Sequence, residues 1–309
     1  MNIAVISSDF KFSESGINRI IKAFPSVRIF ESGIIPNNGV RAVIVDDSPG
    51  RELNRFPNLE IIFSISAGVD NLLDDSSLPD VPIIRVTSPD MISLMREYVT
   101  YQVIRLHRQF KEIEQQQINR NWVWMPPTKA ANSCRVSILG LGQLGLATAN
   151  ALQAIGFQVF GWSNSHKTIK GIPCEFGMNG LEKLLLNTDI LVCLLPLTNA
   201  TKEILNENLF YKLPSGSSII NVSRGECLNE SDLINAINSG QISSATLDVF
   251  KNEPLTTESS LWNYPQINIT PHLAAYPLAD SFIDSLIENL KYFINGEQLV
   301  KVVNRNSGY

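Results

Sequence analysis

The sequence predicts an α/β protein of two parallel-sheet domains, and three observations carry that reading. Short apolar runs alternate with helical segments on both sides of one long helical stretch. A glycine turn, Gly140-Leu141-Gly142-Gln143-Leu144-Gly145, joins an apolar run to a small-residue helix. Three motifs with charged residues, each ending an apolar run, follow in the second half. Alternation of this kind means parallel strands covered by helices.

Over residues 1–90, strand-like runs fall at 3–6, 27–30, 42–45, 60–65 and 83–86. Between the first two, Ile17, Ile20, Ile21 and Phe24 recur at helical spacing over 14–24. The segment SISAGVDNL (64–72) ends one strand in small residues. Ligands of parallel sheets bind beyond the carboxyl ends of strands, so backbone N–H groups at Ala67, Gly68 and Val69 could hold a carboxylate. A plain βα turn explains the same residues.

Residues 97–117 read as one long helix, with Val99, Val103, Leu106, Phe110 and Ile113 on one stripe. Arg105, Arg108, Lys111, Glu112 and Glu114 are expected on its surface. An aromatic loop with Trp122 and Trp124 runs into Pro126-Pro127, so this stretch is a natural hinge or dimer element. Further strands are expected at 136–139, 158–162, 190–195, 218–222, 245–249 and 267–270. The best bounded helix, 230–239, has Asn229 as its N-cap and Gly240 as its stop. A last amphipathic helix, 279–294, closes at Gly296 and is expected to return over the first domain. The second domain (99–276) therefore reads as inserted into the first (1–98 and 277–309).

Composition narrows the function classes. A chain of 309 residues, 44% hydrophobic and 18% charged, suits two ordinary globular domains. The net charge of −5 and the lack of a basic cluster speak against nucleic acid. No apolar run reaches membrane-spanning length, and the N-terminus lacks the basic region of a signal peptide. Four cysteines without metal-ligand spacing suggest buried reduced thiols, no metal site and a cytoplasmic location.

Each glycine of the turn has a physical task. Gly140 permits a tight strand-to-helix turn, Gly142 removes a side chain where a pyrophosphate must approach, and Gly145 allows close helix–strand packing. The helix that opens at Gln143 and Leu144 offers unpaired N–H groups at the positive end of its dipole. A dinucleotide site follows. NAD enzymes carry an acid about 20 residues beyond the glycines. Here the segment is Ser163-Asn164-Ser165-His166-Lys167, uncharged where the acid would stand and cationic nearby. Such a loop accommodates a 2′-phosphate, which a carboxylate would repel, so NADP(H) is favoured and NAD(H) stays open.

The motifs INVSRGE (220–226), LDVFKNEPL (247–255) and ITPHLAA (269–275) each end a strand of that sheet. The carboxyl-end rule brings Arg224, Glu253 and His272 to one crevice. A cation, a carboxylate and an imidazole beside a nicotinamide match reduction of a 2-oxo acid.

With these residues in view, the chain resembles the D-isomer-specific 2-hydroxyacid dehydrogenases, and most closely their glyoxylate/hydroxypyruvate reductase branch. Seven separated motifs agree in family order: SAGVDNL, GLGQLG, CLLPLT, NVSRGE, LDVFKNEPL, SSLW (259–262) and TPHLAA. The resemblance implies two Rossmann-like domains with the cofactor domain inserted into a discontinuous substrate domain, and a homodimer. It makes Arg224, Glu253 and His272 the catalytic set, and places Asp248 beside the nicotinamide carboxamide. Pro196 and Thr198 of CLLPLT, with Val222 and Ser223 before the arginine, fall among the implied cofactor contacts. Arg224 would bind the substrate carboxylate and polarise the carbonyl, while Glu253 would orient an imidazolium that donates the proton. Ala67, Gly68 and Val69 would hold the carboxylate from the opposite domain on closure. Two departures stand out. Asn164 and His166 occupy a loop that this branch often fills with arginine, which weakens the case for NADP. The loop Val45-Asp46-Asp47-Ser48-Pro49 lacks the aromatic or basic residues expected near a small anion, leaving the substrate unassigned. A dinucleotide-sensing corepressor-like protein and a dehydrogenase of formate or phosphite are the competing readings.

Overall fold

A computed structural model of the chain describes residues 1–7, 11–31, 35–66, 68–276, 278 and 280–305. The chain divides into two compact units, Met1–Met91 with Pro277–Tyr309, and Ile92–Tyr276.

The first unit is a five-stranded parallel sheet. Its chain order is β1 (Asn2–Ile6), α1 (Glu14–Ala23), β2 (Arg28–Phe30), β3 (Val40–Val45), β4 (Ile61–Ser64), α2 (Asp70–Leu73) and β5 (Ile83–Arg85). The strands lie in the order β2-β1-β3-β4-β5. Strand interiors such as Ile3, Val43 and Ile62 are fully buried, as the helices of a parallel sheet require. Ser13 caps α1 by accepting the Gly16 amide at 3.0 Å.

The helix α3 (Pro89–His107) leads into the second unit and differs from the expected single helix over 97–117. It starts earlier because Ser88 accepts the Asp90 amide at 3.0 Å and Pro89 fills the first helical position. It ends at His107; two residues on, Gln109 takes a left-handed φ of +53° and a separate α4 (Phe110–Ile118) follows. Glutamine is no helix breaker, so periodicity carried no sign of this break. Val99 and Val103 are buried, yet no residue of α4 is. Arg105, expected on the surface, is instead drawn in, its side chain 11% exposed beside Glu114 at 3.5 Å.

The second sheet follows: β6 (Arg135–Leu139), α5 (Gln143–Ile155), β7 (Gln158–Ser163), β8 (Cys174–Phe176), α6 (Gly177–Leu185), β9 (Ile190–Cys193), α7 (Glu207–Lys212), β10 (Ser217–Asn221), α8 (Glu230–Asn238), β11 (Ile242–Leu247) and β12 (Ile267–Ile269). Seven parallel strands lie in the order β12-β11-β10-β9-β6-β7-β8. β8 has no counterpart in the sequence reading, being three residues on the sheet edge. Asn229 caps α8 by accepting the Asp232 amide at 3.1 Å, and Gly240 stops it at φ +77°.

Back in the first unit, α9 (Ile283–Asn295) closes at Gly296 with φ +67°. It starts later than the expected 279, a position outside the described residues. α9 buries Ile283, Leu286 and Leu290, and Asp284 pairs with Arg19 of α1. No helix among the described residues is long and apolar enough to cross a membrane.

Candidate active site

The second sheet reverses its direction of winding at β6, which lies between β9 and β7. Ligands of such sheets sit beyond the strand ends at this point. The glycine turn leaves β6 there. Gly140 takes a φ of +98°, and a Cβ on it would come within 2.5 Å of the Leu194 carbonyl oxygen. A Cβ on Gly145 would overlap the Gly140 carbonyl, whereas one on Gly142 would meet nothing within 4 Å. So two glycines are needed for packing, and the third leaves its backbone open to solvent. Gly142 is the N-cap of α5 without a side-chain cap, so the first amides of the helix keep no side-chain partner. Gln143 is exposed and Leu144 half-buried beside it. This opening fits a pyrophosphate.

At the end of β7, Ser163 is buried and its hydroxyl donates to the Ser165 carbonyl at 2.6 Å. Ser163 therefore shapes the loop, and Asn164, Ser165 and His166 are its exposed members. Lys167 folds back so that its ammonium donates to the Leu141 carbonyl at 3.0 Å, inside the glycine turn. That places a cation between the glycine turn and the loop after β7.

Beyond β9, Thr198 donates its amide to Thr201 Oγ1 at 2.8 Å, and that hydroxyl donates to the Pro196 carbonyl at 2.6 Å. Val222 and Ser223 are buried beyond β10. Asn221, fully buried at the end of β10, accepts from the Ser223 amide at 3.2 Å and hydroxyl at 2.8 Å. Its amide nitrogen donates to the Arg224 carbonyl at 3.0 Å. Asn221 was not foreseen; its signal in the sequence is an Asn closing an apolar run, where a buried polar group needs partners. The turn it holds presents Arg224, whose Nη1 donates to the Ser223 carbonyl at 2.9 Å.

β10, β11 and β12 are neighbours, so their carboxyl ends emit three adjacent loops. A Cβ on Gly225 would overlap the Phe250 carbonyl, which shows how closely the first loop lies against the second. Glu253 accepts the Phe250 amide through Oε1 at 2.9 Å, while its Oε2 lies 2.7 Å from His272 Nδ1. Burial works to raise the Glu253 carboxyl, but the His272 and Phe250 hydrogen bonds, with His272 and Arg224 charges, hold it below the usual range. A carboxylate accepts, so Nδ1 carries the proton and Nε2 is the ring atom left for exchange.

Asp248 is 1% exposed, and both of its carboxylate oxygens are taken by the loop that carries His272. In the first unit, Gly68 and Val69 follow β4 and lead into α2, with Val69 buried; Ala67 lies outside the described residues. All four cysteines are free: three are buried, and Cys174 is intermediate.

Residues 100–274 match the family model described as D-isomer specific 2-hydroxyacid dehydrogenase, NAD binding domain. A Yersinia enterocolitica protein named glyoxylate/hydroxypyruvate reductase A is 37% identical over 272 residues, 86% of this chain and 87% of that protein. Among solved structures, a D-isomer specific 2-hydroxyacid dehydrogenase from Xanthobacter autotrophicus Py2, in complex with NADPH and MES, superposes with a TM-score of 0.93 at 35% identity, covering 100% of this chain and 99% of its own. An NADPH-dependent glyoxylate/hydroxypyruvate reductase from Sinorhizobium meliloti, in complex with NADP and sulfate, does so at 0.87 and 33%, with the same coverage.

Proposed function

The chain belongs to the D-isomer-specific 2-hydroxyacid dehydrogenases, and on that premise we propose that it reduces a small 2-oxo acid of the glyoxylate or hydroxypyruvate type with NADPH. The observation that carries the proposal is the Glu253–His272 pair on the loops beside Arg224. The relatives' names favour a reductase over a corepressor-like sensor.

The cofactor fits this chain's own residues. The amides around Gly142, Gln143 and Leu144 would hold the pyrophosphate, and Gly140 and Gly145 keep that turn tight. Lys167, with Asn164, Ser165 and His166 exposed around it, would meet the 2′-phosphate, and the buried Ser163 adds no carboxylate to repel it. Backbone groups near Pro196, Thr198, Val222 and Ser223 would line the nicotinamide side, with Asp248 behind them. The family model is described by NAD, whereas the two solved relatives bind NADPH or NADP; the uncharged Ser163 and nearby Lys167 support the latter here.

When bound, NADPH supplies the hydride that reduces the carbonyl carbon. Arg224 grips the substrate carboxylate with its planar fork and polarises the carbonyl oxygen. His272, its Nδ1 proton held by Glu253, donates a proton from Nε2 to the developing alkoxide, completing the hydroxyl. Glu253 orients the ring through the Nδ1 contact at 2.7 Å. Such positioned proton transfer is typically worth about 10²–10⁴-fold.

A homodimer and a cytoplasmic location belong to the same proposal. Trp122 and Trp124 are 99% and 84% exposed, and Ile118 and Val123 are exposed with them. Neither tryptophan tucks into this chain's core. So large an apolar arm supports burial against a second copy. Assaying a panel of 2-oxo acids with NADPH and with NADH tests the reading. Turnover of glyoxylate or hydroxypyruvate with NADPH is expected, and inactivity across the panel would overturn it.

A further inference from the structure

His272 has a φ of +53°, a left-handed conformation that a residue with a Cβ keeps only when its surroundings hold it. The grip comes from Asp248. Its main-chain carbonyl accepts the His272 amide at 2.8 Å. Its Oδ1 accepts the Leu273 amide at 2.9 Å, and its Oδ2 the Ala274 amide at 2.8 Å. The Thr270 hydroxyl lies 2.5 Å from the same Oδ1, and 2.5 Å from the Tyr98 hydroxyl on α3.

The inventory of donors sets the direction of this chain. A carboxylate that takes two amides is an acceptor, so the single Thr270 proton goes to Asp248. Thr270 then has only lone pairs for Tyr98, which must donate. Burial, aided by the Asp248 charge, pushes the Tyr98 hydroxyl up to about 12, so it keeps the proton that the chain needs. Gln102, one turn along α3 and buried, accepts from Thr246 and Asn268, each at 3.4 Å, which ties α3 to β11 and β12.

We infer that Tyr98 and Thr270 are positioning residues for His272, acting through the Asp248 carboxylate to hold the left-handed kink and, with it, the ring against Glu253. The inference rests on the reductase reading above. Thr270 keeps one acceptor site of a buried carboxylate filled, and Tyr98 keeps the Thr270 proton pointed there. Losing either lets the loop relax and moves the proton donor.

The test uses the full chain and three variants. Thr270→Val removes the hydroxyl at similar volume, Tyr98→Phe removes one oxygen, and Thr270→Ser keeps the hydroxyl. With glyoxylate and NADPH, the first two should lower kcat about tenfold to a hundredfold, the scale of an ångström of misplacement. KM for NADPH should stay within about twofold, because the glycine turn is untouched. Thr270→Ser should restore kcat. The chain has 3 histidines, so ¹³C-histidine NMR resolves each ring, with His272→Gln giving the assignment. The His272 ring signal should move in Thr270→Val and Tyr98→Phe while those of His107 and His166 stay. If Thr270→Val fails to fold by thermal melting, Tyr98→Phe carries the test alone. An unmoved His272 signal, a wild-type kcat, or a loss that serine does not restore would overturn the inference. If wild type reduces no 2-oxo acid, the reductase reading fails, and the NMR signals alone still decide this one.

Discussion

His272 Nδ1 and Glu253 Oε2 lie 2.7 Å apart, joining loops that follow two neighbouring strands, β12 and β11. The pair commits one ring nitrogen to a carboxylate and leaves the other for chemistry. Because the Glu253 carboxyl is held below its ordinary 4.5, it is ionised throughout the neutral range.

That depression has a sign in stability. A lowered carboxyl contributes stability above its unfolded value and loses it as pH falls through the folded one. Glu253→Gln should therefore melt earlier than wild type at pH 7, with the gap closing as pH drops below 4.5. His272 is 52% exposed in the pair, so the difference should stay within about 1 kcal/mol. Melting curves at the two pH values check this, and an equal gap at both would detach Glu253 from the pair.

Arg224→Lys keeps the charge and loses the planar fork. KM for the oxo acid should rise and kcat fall, each about tenfold or more, with KM for NADPH little changed. Steady-state kinetics with unaltered substrate parameters would remove Arg224 from the site.

The proposed NADPH preference rests on the end of β7. Wild type should favour NADPH in kcat/KM, and Ser163→Asp should shift the ratio toward NADH by about tenfold or more. Ser163 is buried, so the substitution should also lower Tm slightly. A wild type that prefers NADH would contradict the role given to Lys167 and its loop.

The aromatic arm gives an association prediction. Trp122→Ala with Trp124→Ala should weaken the proposed dimer and raise KM for the oxo acid together, while NADPH still binds. Sedimentation velocity beside kinetics reads both. A dimer of unchanged stability and an unchanged KM would leave the arm without this task.

Much of this was legible in the sequence, and the gaps have physical reasons. Parallel strands bury both faces, so runs such as Ile61–Ser64 and Ile190–Cys193 stand out as apolar blocks. The three glycines and the three loop motifs announced the strand ends because backbone sterics and chemistry both constrain them. The break at Gln109 was hidden, since the residue itself has no strong preference against helix. β8 was hidden because three edge residues carry no period. The link from Tyr98 through Thr270 to Asp248 spans 172 positions from Tyr98 to Thr270, and only the fold brings those hydroxyls together. Ser163 was legible as uncharged, but not as buried within its own loop.

The most direct measurement pairs turnover with binding in His272→Gln. NADPH oxidation with glyoxylate or hydroxypyruvate should fall by about 10²-fold or more, the scale of a lost proton donor. NADPH affinity, read by quenching of protein fluorescence, should stay at the wild-type value because the glycine turn and Lys167 are untouched. Wild-type turnover in His272→Gln would contradict the assignment of His272 as the proton donor.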